Sequence, residues 1–348
     1  MESLENTPAF DLVSKSKKEY LEQIAGNMEE KSFFLMRELH DARLPEVDGR
    51  IRILDCGIGG GELIEYLKEE HKDPYVDIVA LDIVHEYVNR IKNKSQSNVL
   101  AVVGDALEPP FSPESLSAIN LSSILHEIIS YGSHSEQANR FSVTHELFSK
   151  LSKCLAHGGI FSYRDIYLPD NHNEKKSAVY SSHFSSFISM FGNQILQNTK
   201  KVFETDLPTI LNNNDSCEIS GNVHYHRELQ RHFVTFADFL CTYNNGTSLK
   251  ATLLSEDAPD QIDTLFKRSF LHERLLDDWG KREGFETYTY ASVSEIKEIL
   301  EEVSMENNLE LEIEQVMYPE RTEYSDFIGQ YSEFVIPDKK QMMLIRKK

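Results

Sequence analysis

The densest concentration of chemically useful residues runs from 55 to 61: Asp55-Cys56-Gly57-Ile58-Gly59-Gly60-Gly61. Glycines at this density let a backbone turn tightly and approach a ligand closely, because no Cβ intervenes. An apolar run precedes the loop and an amphipathic one follows it. The loop therefore joins a strand to a helix whose first N–H groups have no intrahelical partner. This is the general form of a nucleotide site. The spacing narrows the ligand. A dinucleotide fingerprint begun at Gly57 needs a third glycine at 62, where Glu62 stands. No Gly-Lys-Ser/Thr follows, which excludes a P-loop. The pattern present is acid-x-Gly-x-Gly-x-Gly, from Asp55 to Gly61. Carboxylates at 55 and 62 serve a pyrophosphate poorly and suit a cofactor that carries an ammonium and a sulfonium.

Other reactive groups fall at the ends of apolar runs. Asp82-Ile83 closes 76–83, and Asp105-Ala106 closes 99–105. Asn120, Ser122 and Ser123 end the run 115–123, with His126-Glu127 and Tyr131 just beyond. Arg164-Asp165 lies near the end of 160–167. A carboxylate at the C-terminal end of a strand can accept two neighbouring hydroxyls. An imidazole can take a proton from a hydroxyl or amine. A guanidinium can clamp a carboxylate or phosphate. Each group also has a plainer use: strand-end capping for the acids, a neighbour's hydrogen bond for His126, an Arg164–Asp165 ion pair. His224, His226 and His232 suggest zinc or iron by residue type. Only the first two are close in sequence, and on a helix they point differently, so no metal site is expected. His226 reads instead, with Phe233, Phe236 and Tyr243, as lining or capping a pocket. The single tryptophan, Trp279, reads as packing or as a lid anchor.

The elements that must position these groups follow from periodicity. Residues 1–50 read as a polar helical segment with Ile24, Met28, Phe33, Phe34, Met36 and Leu39 at near-helical spacing, ended by Pro45 and Asp48-Gly49. Short apolar strands at 51–57, 76–83, 99–105, 115–123 and 160–167 then alternate with amphipathic helices at 61–71, 85–94 and up to about 156, where a His157-Gly158-Gly159 turn is expected. Alternation of this kind implies βαβ units and a parallel sheet. Strands apolar almost throughout imply helices on both faces. Residues 170–290 break the rhythm and read as a mainly helical insertion, with helices at 184–203, 226–243 and 264–284 and a short strand at 285–291. A helix at 292–303 and strands at 309–318 and 341–348 close the chain.

At these residues the sequence resembles the class I S-adenosylmethionine-dependent methyltransferases. ILDCGIGGG (53–61), VALDI (79–83), VVGDAL (102–107), INLSSILHEI (119–128) and LFSKLSKCLAHGGIFSYRD (147–165) match that family's elements in order. The resemblance covers 51–167 and, more weakly, 292–348. It implies an α/β fold: a seven-stranded, mostly parallel Rossmann-like sheet, the last strand antiparallel, with an N-terminal helical segment and a helical cap. The division it implies is 1–50; 51–169 with 291–348 for S-adenosylmethionine; and 170–290 for the substrate cap. It implies that Asp55, Gly57, Gly59, Gly61, Asp82, Ile83, Asp105, Ala106 and Asn120 hold the cofactor. Asp82 would take the ribose hydroxyls and Asp105 the adenine amine. Ser122, Ser123, Tyr131 and Arg164 would meet the acceptor, and the pair His126-Glu127 would supply the catalytic groups. The (Asp/Asn)-Pro-Pro-(Tyr/Phe) signature of adenine and glutamine amide methylation is absent after the fourth strand. That absence disfavours those two amide acceptors and leaves other nitrogens open, and the expected acceptor is an oxygen or nitrogen of a small molecule or peptide. A protein or RNA acceptor, and a cofactor-binding scaffold without turnover, are the alternatives.

Composition bounds the rest. The 348 residues, 40% hydrophobic and 27% charged, suit a globular chain of about two domains. Thirty-six basic against 57 acidic side chains leave a net charge of −21, which argues against a broad nucleic-acid footprint. The four cysteines form no CxxC pair, which disfavours a thiolate zinc site and suggests a reducing compartment. The first 20 residues lack the pattern of a secretory signal, and no run of about 18 apolar residues occurs. The cytosol is the expected location.

Overall fold

A computed structural model describes residues 28–348, apart from 72, 95–96, 132–138, 214, 246, 256, 270–276, 278, 281–282, 284–285 and 289. The expected helical positions before 28, including Ile24, lie outside the described residues. Along the chain the strands are β1 (Ile51–Cys56), β2 (Val76–Asp82), β3 (Val99–Val103), β4 (Leu116–Ser122), β5 (Leu155–Ile166), β6 (Lys175–Ser181), β7 (Thr209–Asn212), β8 (Ser216–Asn222), β9 (Leu311–Met317) and β10 (Lys340–Lys347). Two units emerge. The first holds the described residues up to Asp165, with Val293–Tyr318 and Lys340–Lys348. The second holds Ile166–Ser292 and Pro319–Lys339.

In the first unit seven strands form one sheet in the order β3-β2-β1-β4-β5-β10-β9. β1 pairs in parallel with β2 and β4, β2 with β3, and β4 with β5, while β10 runs antiparallel to β9. Ile53, Leu54, Ala80, Ala118 and Ile119 are fully buried, as required of strands covered on both faces. The strand order reverses between β1 and β4, and ligands of open α/β sheets bind outside the carboxyl ends at such a reversal. The expected turn before β5 differs in form: β5 begins at Leu155 and carries Gly158 at φ +80° within the strand, beside a register shift opposite β4. The irregularity re-aims the strand without ending its pairing.

Helices Arg140–Cys154 and Val293–Asn307 are tied by a bidentate bond from Arg140 to Glu295, at 2.9 and 2.6 Å. Helix Met28–His40 is anchored by the buried carboxylate of Glu38, which meets Arg43 at 2.9 Å and Arg346 of β10 at 2.5 Å.

The second unit combines helices with a three-stranded antiparallel sheet, β6-β8-β7. The sequence reading had this stretch as mainly helical. Each of these strands buries few apolar side chains, such as Cys217 and Ile219 of β8, so the alternation is faint within a polar stretch. The described residues of 285–291 are not a strand, and the expected helix 184–203 is interrupted by a π turn at Ile188–Gly192. Helix Val223–Asn245 extends past its expected limits at both ends, and helix Ala258–Ser269 begins before the expected 264, while 270–276 lie outside the described residues. The core is aromatic: Phe184, Phe187, Phe233, Phe236, Phe266 and Trp279 are all fully buried. Residues 319–339, read from sequence with the α/β domain, group here and contribute helix Thr322–Gly329. His224, His226 and His232 face different partners: Thr205, Tyr180 and the carbonyls of Glu228 and Glu286. No group of three or more metal-ligating side chains occurs among the described residues, and no described helix is long and apolar enough to cross a membrane.

The Glu38 anchor is testable. Glu38→Ala leaves Arg346 its second partner, Glu314 at 2.9 Å. The expected loss of unfolding free energy in urea is therefore about 2 kcal/mol, below the cost of orphaning an isolated buried charge. An unchanged midpoint would show that the helix is held by its apolar face alone.

Candidate cofactor and acceptor site

The glycine loop leaves β1 at the strand-order reversal. Gly57, at φ +78°, donates its N–H to the Leu81 carbonyl at 2.9 Å. A Cβ there would meet the Ile124 side chain at 2.5 Å, so the position is closed to any larger residue. Gly59, at φ +51°, is the opposite case: a Cβ would meet nothing within 4 Å. Its missing side chain leaves open space above the loop, as a cradle for a ligand requires. Gly61, at φ +85°, caps helix Glu62–Glu70.

The acids of the loop and strand ends are gathered at this edge. Asp55 and Asn120 are direct neighbours in the β1–β4 register, and the Asn120 amide donates to the Asp55 carboxylate at 2.9 Å. Burial pushes Asp55 up to about 6, opposed by the Asn120 hydrogen bond and the charge of Lys31, and assisted by Glu62. The Asn120 carbonyl oxygen is buried and has no hydrogen-bond partner among the described residues, nor does the Ser122 hydroxyl. Asp82 accepts the Val84 N–H at 2.8 Å. Burial raises it to about 7. The Val84 N–H opposes the shift, Glu127 adds to it, and the N–H groups of Gly59 and Ile58 oppose it. Asp82 thus sits against the glycine loop. Ile83 beside it is 58% exposed, a large apolar surface at the edge of the site. Asp105 accepts the Leu107 N–H at 2.9 Å, and Ala106 is buried. An orphaned buried acceptor, an open cradle and ionisable carboxylates fit a ligand that brings N–H and O–H donors and positive charge.

Beyond β4 the second half of the site assembles. His126 opens helix Leu125–Tyr131, and its Nδ1 lies 2.9 and 3.2 Å from the carboxylate oxygens of Asp165. Both residues are buried. Sequence reading had paired His126 with Glu127; the carboxylate at Nδ1 belongs to Asp165 of β5. Glu127 raises the pKa of both Asp82 and the buried Tyr87 phenol. Arg164 meets Glu30 and Ser123. Its Nε donates to Glu30 at 2.7 Å and its Nη1 to the Ser123 hydroxyl at 2.9 Å. Tyr131 ends the helix half-buried, and Gly132 after it lies outside the described residues. The signal for Asp165 was present in sequence as the second residue of Arg164-Asp165 at a strand end, but only the β4–β5 register shows which loop it faces.

A family profile described as "Methyltransferase domain" matches residues 53–159. No curated protein matches the chain. Among solved structures, the YcgJ protein of Bacillus subtilis is 12% identical over 91% of this chain and 98% of its own, at a TM-score of 0.41. A SAM-dependent methyltransferase of Leishmania major is 9% identical over 91% of this chain and 73% of its own, at 0.39. One from Aquifex aeolicus is 13% identical over 58% of this chain and 96% of its own, at 0.31. The matched stretch holds the glycine loop and the strand-end acids, and over 53–159 the chain carries a methyltransferase domain.

Proposed function

We propose that this methyltransferase acts on an oxygen or nitrogen of a small-molecule or peptide acceptor, with His126 as proton acceptor. The observation that carries the reading is the buried His126–Asp165 pair, at 2.9 Å, beside the cofactor cradle. In this reading Asp55, Gly57, Gly59, Gly61 and Asn120 hold the amino-acid part of the cofactor, and Asp82, Ile83, Asp105 and Ala106 its nucleoside. Bound S-adenosylmethionine supplies an electrophilic methyl carbon, and its sulfur takes the electrons of the broken C–S bond. Asp165 accepts the Nδ1–H hydrogen bond of His126 and so puts the imidazole lone pair on Nε2. Nε2 takes the proton from the acceptor O–H or N–H as its lone pair forms the new bond to carbon. The Asp165 carboxylate then stabilises the imidazolium. Ser122 and Tyr131 orient the acceptor. The four cysteines are free and buried, in keeping with action in the cytoplasm.

Incubation of the protein with methyl-labelled S-adenosylmethionine and, separately, a small-metabolite extract, peptides, protein and RNA should label the first or second fraction. Label only in protein or RNA would replace the acceptor class, and binding without label would make the protein a scaffold. His126→Gln should lower turnover by about 10²–10⁴-fold with little change in cofactor affinity. Full activity would remove His126 from the reaction.

Asp82 gives a pH test. Its carboxyl titrates at about 7 in the free protein because of burial. Hydroxyl donors of a bound ribose favour the carboxylate, so binding releases a proton. S-adenosylhomocysteine affinity, measured calorimetrically, should therefore rise as pH increases from about 6 to about 8 and then level off. Asp82→Asn should weaken binding by about 1–3 kcal/mol and flatten that rise. An unchanged pH profile in the variant would move the ribose away from Asp82.

A further inference from the structure

The turn between β4 and the helix that carries His126 is held from two sides. Ser123 stands at φ +58°, in the left-handed region that a non-glycine residue occupies only when its surroundings compel it. Its N–H donates to the Arg164 carbonyl at 2.7 Å, and its hydroxyl accepts from Nη1 of Arg164 at 2.9 Å. Arg164 is 3% exposed, and its charge is met by Glu30 of helix Met28–His40, at 2.7 Å from Nε and 2.5 Å from Nη2. The next residue of β5, Asp165, holds Nδ1 of His126. Successive side chains of a strand point to opposite faces. Arg164 and Asp165 therefore grip the same connection, three residues apart, from opposite faces of the sheet. Ile124, between the gripped residues, lies over Gly57, where an added Cβ would strike it at 2.5 Å. The apolar contact of Ile124 at Gly57 is separate from these polar ties, which set the aim of the imidazole.

We propose that Glu30, Arg164 and Ser123 form a positioning chain that fixes this turn and, through it, the direction in which His126 presents Nε2. Arg164 is then a positioning residue and not the clamp on the acceptor that its type suggests. Glu30 supplies the counter-charge that lets the guanidinium stay buried with its fork aimed at Ser123. The inference rests on the reading of His126 as proton acceptor, but it makes a claim about the free protein.

The test is two-bond ¹H–¹⁵N correlation spectroscopy of the full chain labelled at histidine nitrogens, with His126 assigned from the spectrum of His126→Asn. In the unsubstituted protein His126 should show the Nδ1–H tautomer alone. Arg164→Met should give a mixture with the Nε2–H tautomer, while S-adenosylhomocysteine affinity stays within about threefold. Because Arg164→Met takes the guanidinium away from the half-buried Glu30 carboxylate, the paired variant Glu30→Leu/Arg164→Met removes both charges together and should give the same mixture in a folded chain. Adding Ser123→Gly, which adopts the left-handed turn unaided, should restore the single tautomer. An unchanged tautomer in either Arg164 variant, or no rescue by Ser123→Gly, would overturn the positioning chain. Lack of methyl transfer by the unsubstituted protein would instead count against the proton-accepting role and leave the spectra to decide the rest.

Discussion

The site depends on keeping carboxylates ionisable while they are buried at the edge of a parallel sheet. Asp82 is 8% exposed and Asp55 only 3%. A carboxylate taken out of water this far neutralises unless donors replace its hydration. Asp55 finds one in the amide of Asn120, its register partner across β1–β4. Asp82 finds backbone donors, the N–H of Val84 in its own turn and those of Ile58 and Gly59 in the loop from β1. Loop N–H groups can point back at a neighbouring strand end only if the loop turns through left-handed conformations. This is the physical reason for glycine at 57 and 59, where φ is +78° and +51°. The glycine spacing and the acid at the end of β2 are one device.

The acceptor half obeys the same constraint with different groups. Ser123 is the non-glycine residue that takes the left-handed turn after β4, as Gly57 does after β1. It has a side chain, and that side chain is used: Arg164 bonds to it and so replaces conformational freedom with a directed hydrogen bond. Strand register then decides the pairings. Ser122 is opposite Arg164, which brings Asp165 level with the first turn of the following helix and within reach of His126. Two loops of similar shape, one permissive and one clamped, thus divide the edge between ligand approach and side-chain aim.

This division explains what could be read from the residues alone. Strands β1, β2, β4 and β5 are largely buried on both faces, so they stand out as apolar runs, and the groups at their ends fall where the runs stop. The parallel strands and the glycine–acid clustering are legible for that reason, whereas the antiparallel closing strand is expected only from the family resemblance. The small sheet of the second unit was not, because β7 buries no side chain fully and β8 turns only Cys217 and Ile219 inward. Adjacency in sequence does not give every partner. Glu127 follows His126, yet Asp165, 39 positions away, is the acid at its ring nitrogen. Glu30 and Arg164 are 134 positions apart. Such pairs depend on register and on where a helix docks, which periodicity does not encode.

The charge distribution carries one more step. Asp55 and Asp82, held near 6 and 7 by burial, sit close to their midpoints at neutral pH, so a bound charge of either sign shifts their ionisation. An anion would drive protons on to them and lose the acceptors the loop was built around. A cation draws protons off, and each carboxylate so formed strengthens its hold on the ligand. One unit of pKa shift is about 1.4 kcal/mol of differential interaction, so even modest shifts at two acids discriminate strongly by charge. Glu127 sharpens this selection by raising Asp82 further, at a position on the acceptor helix and not on the cofactor loop. The helix that carries His126 therefore also carries a charge that tunes the cofactor side.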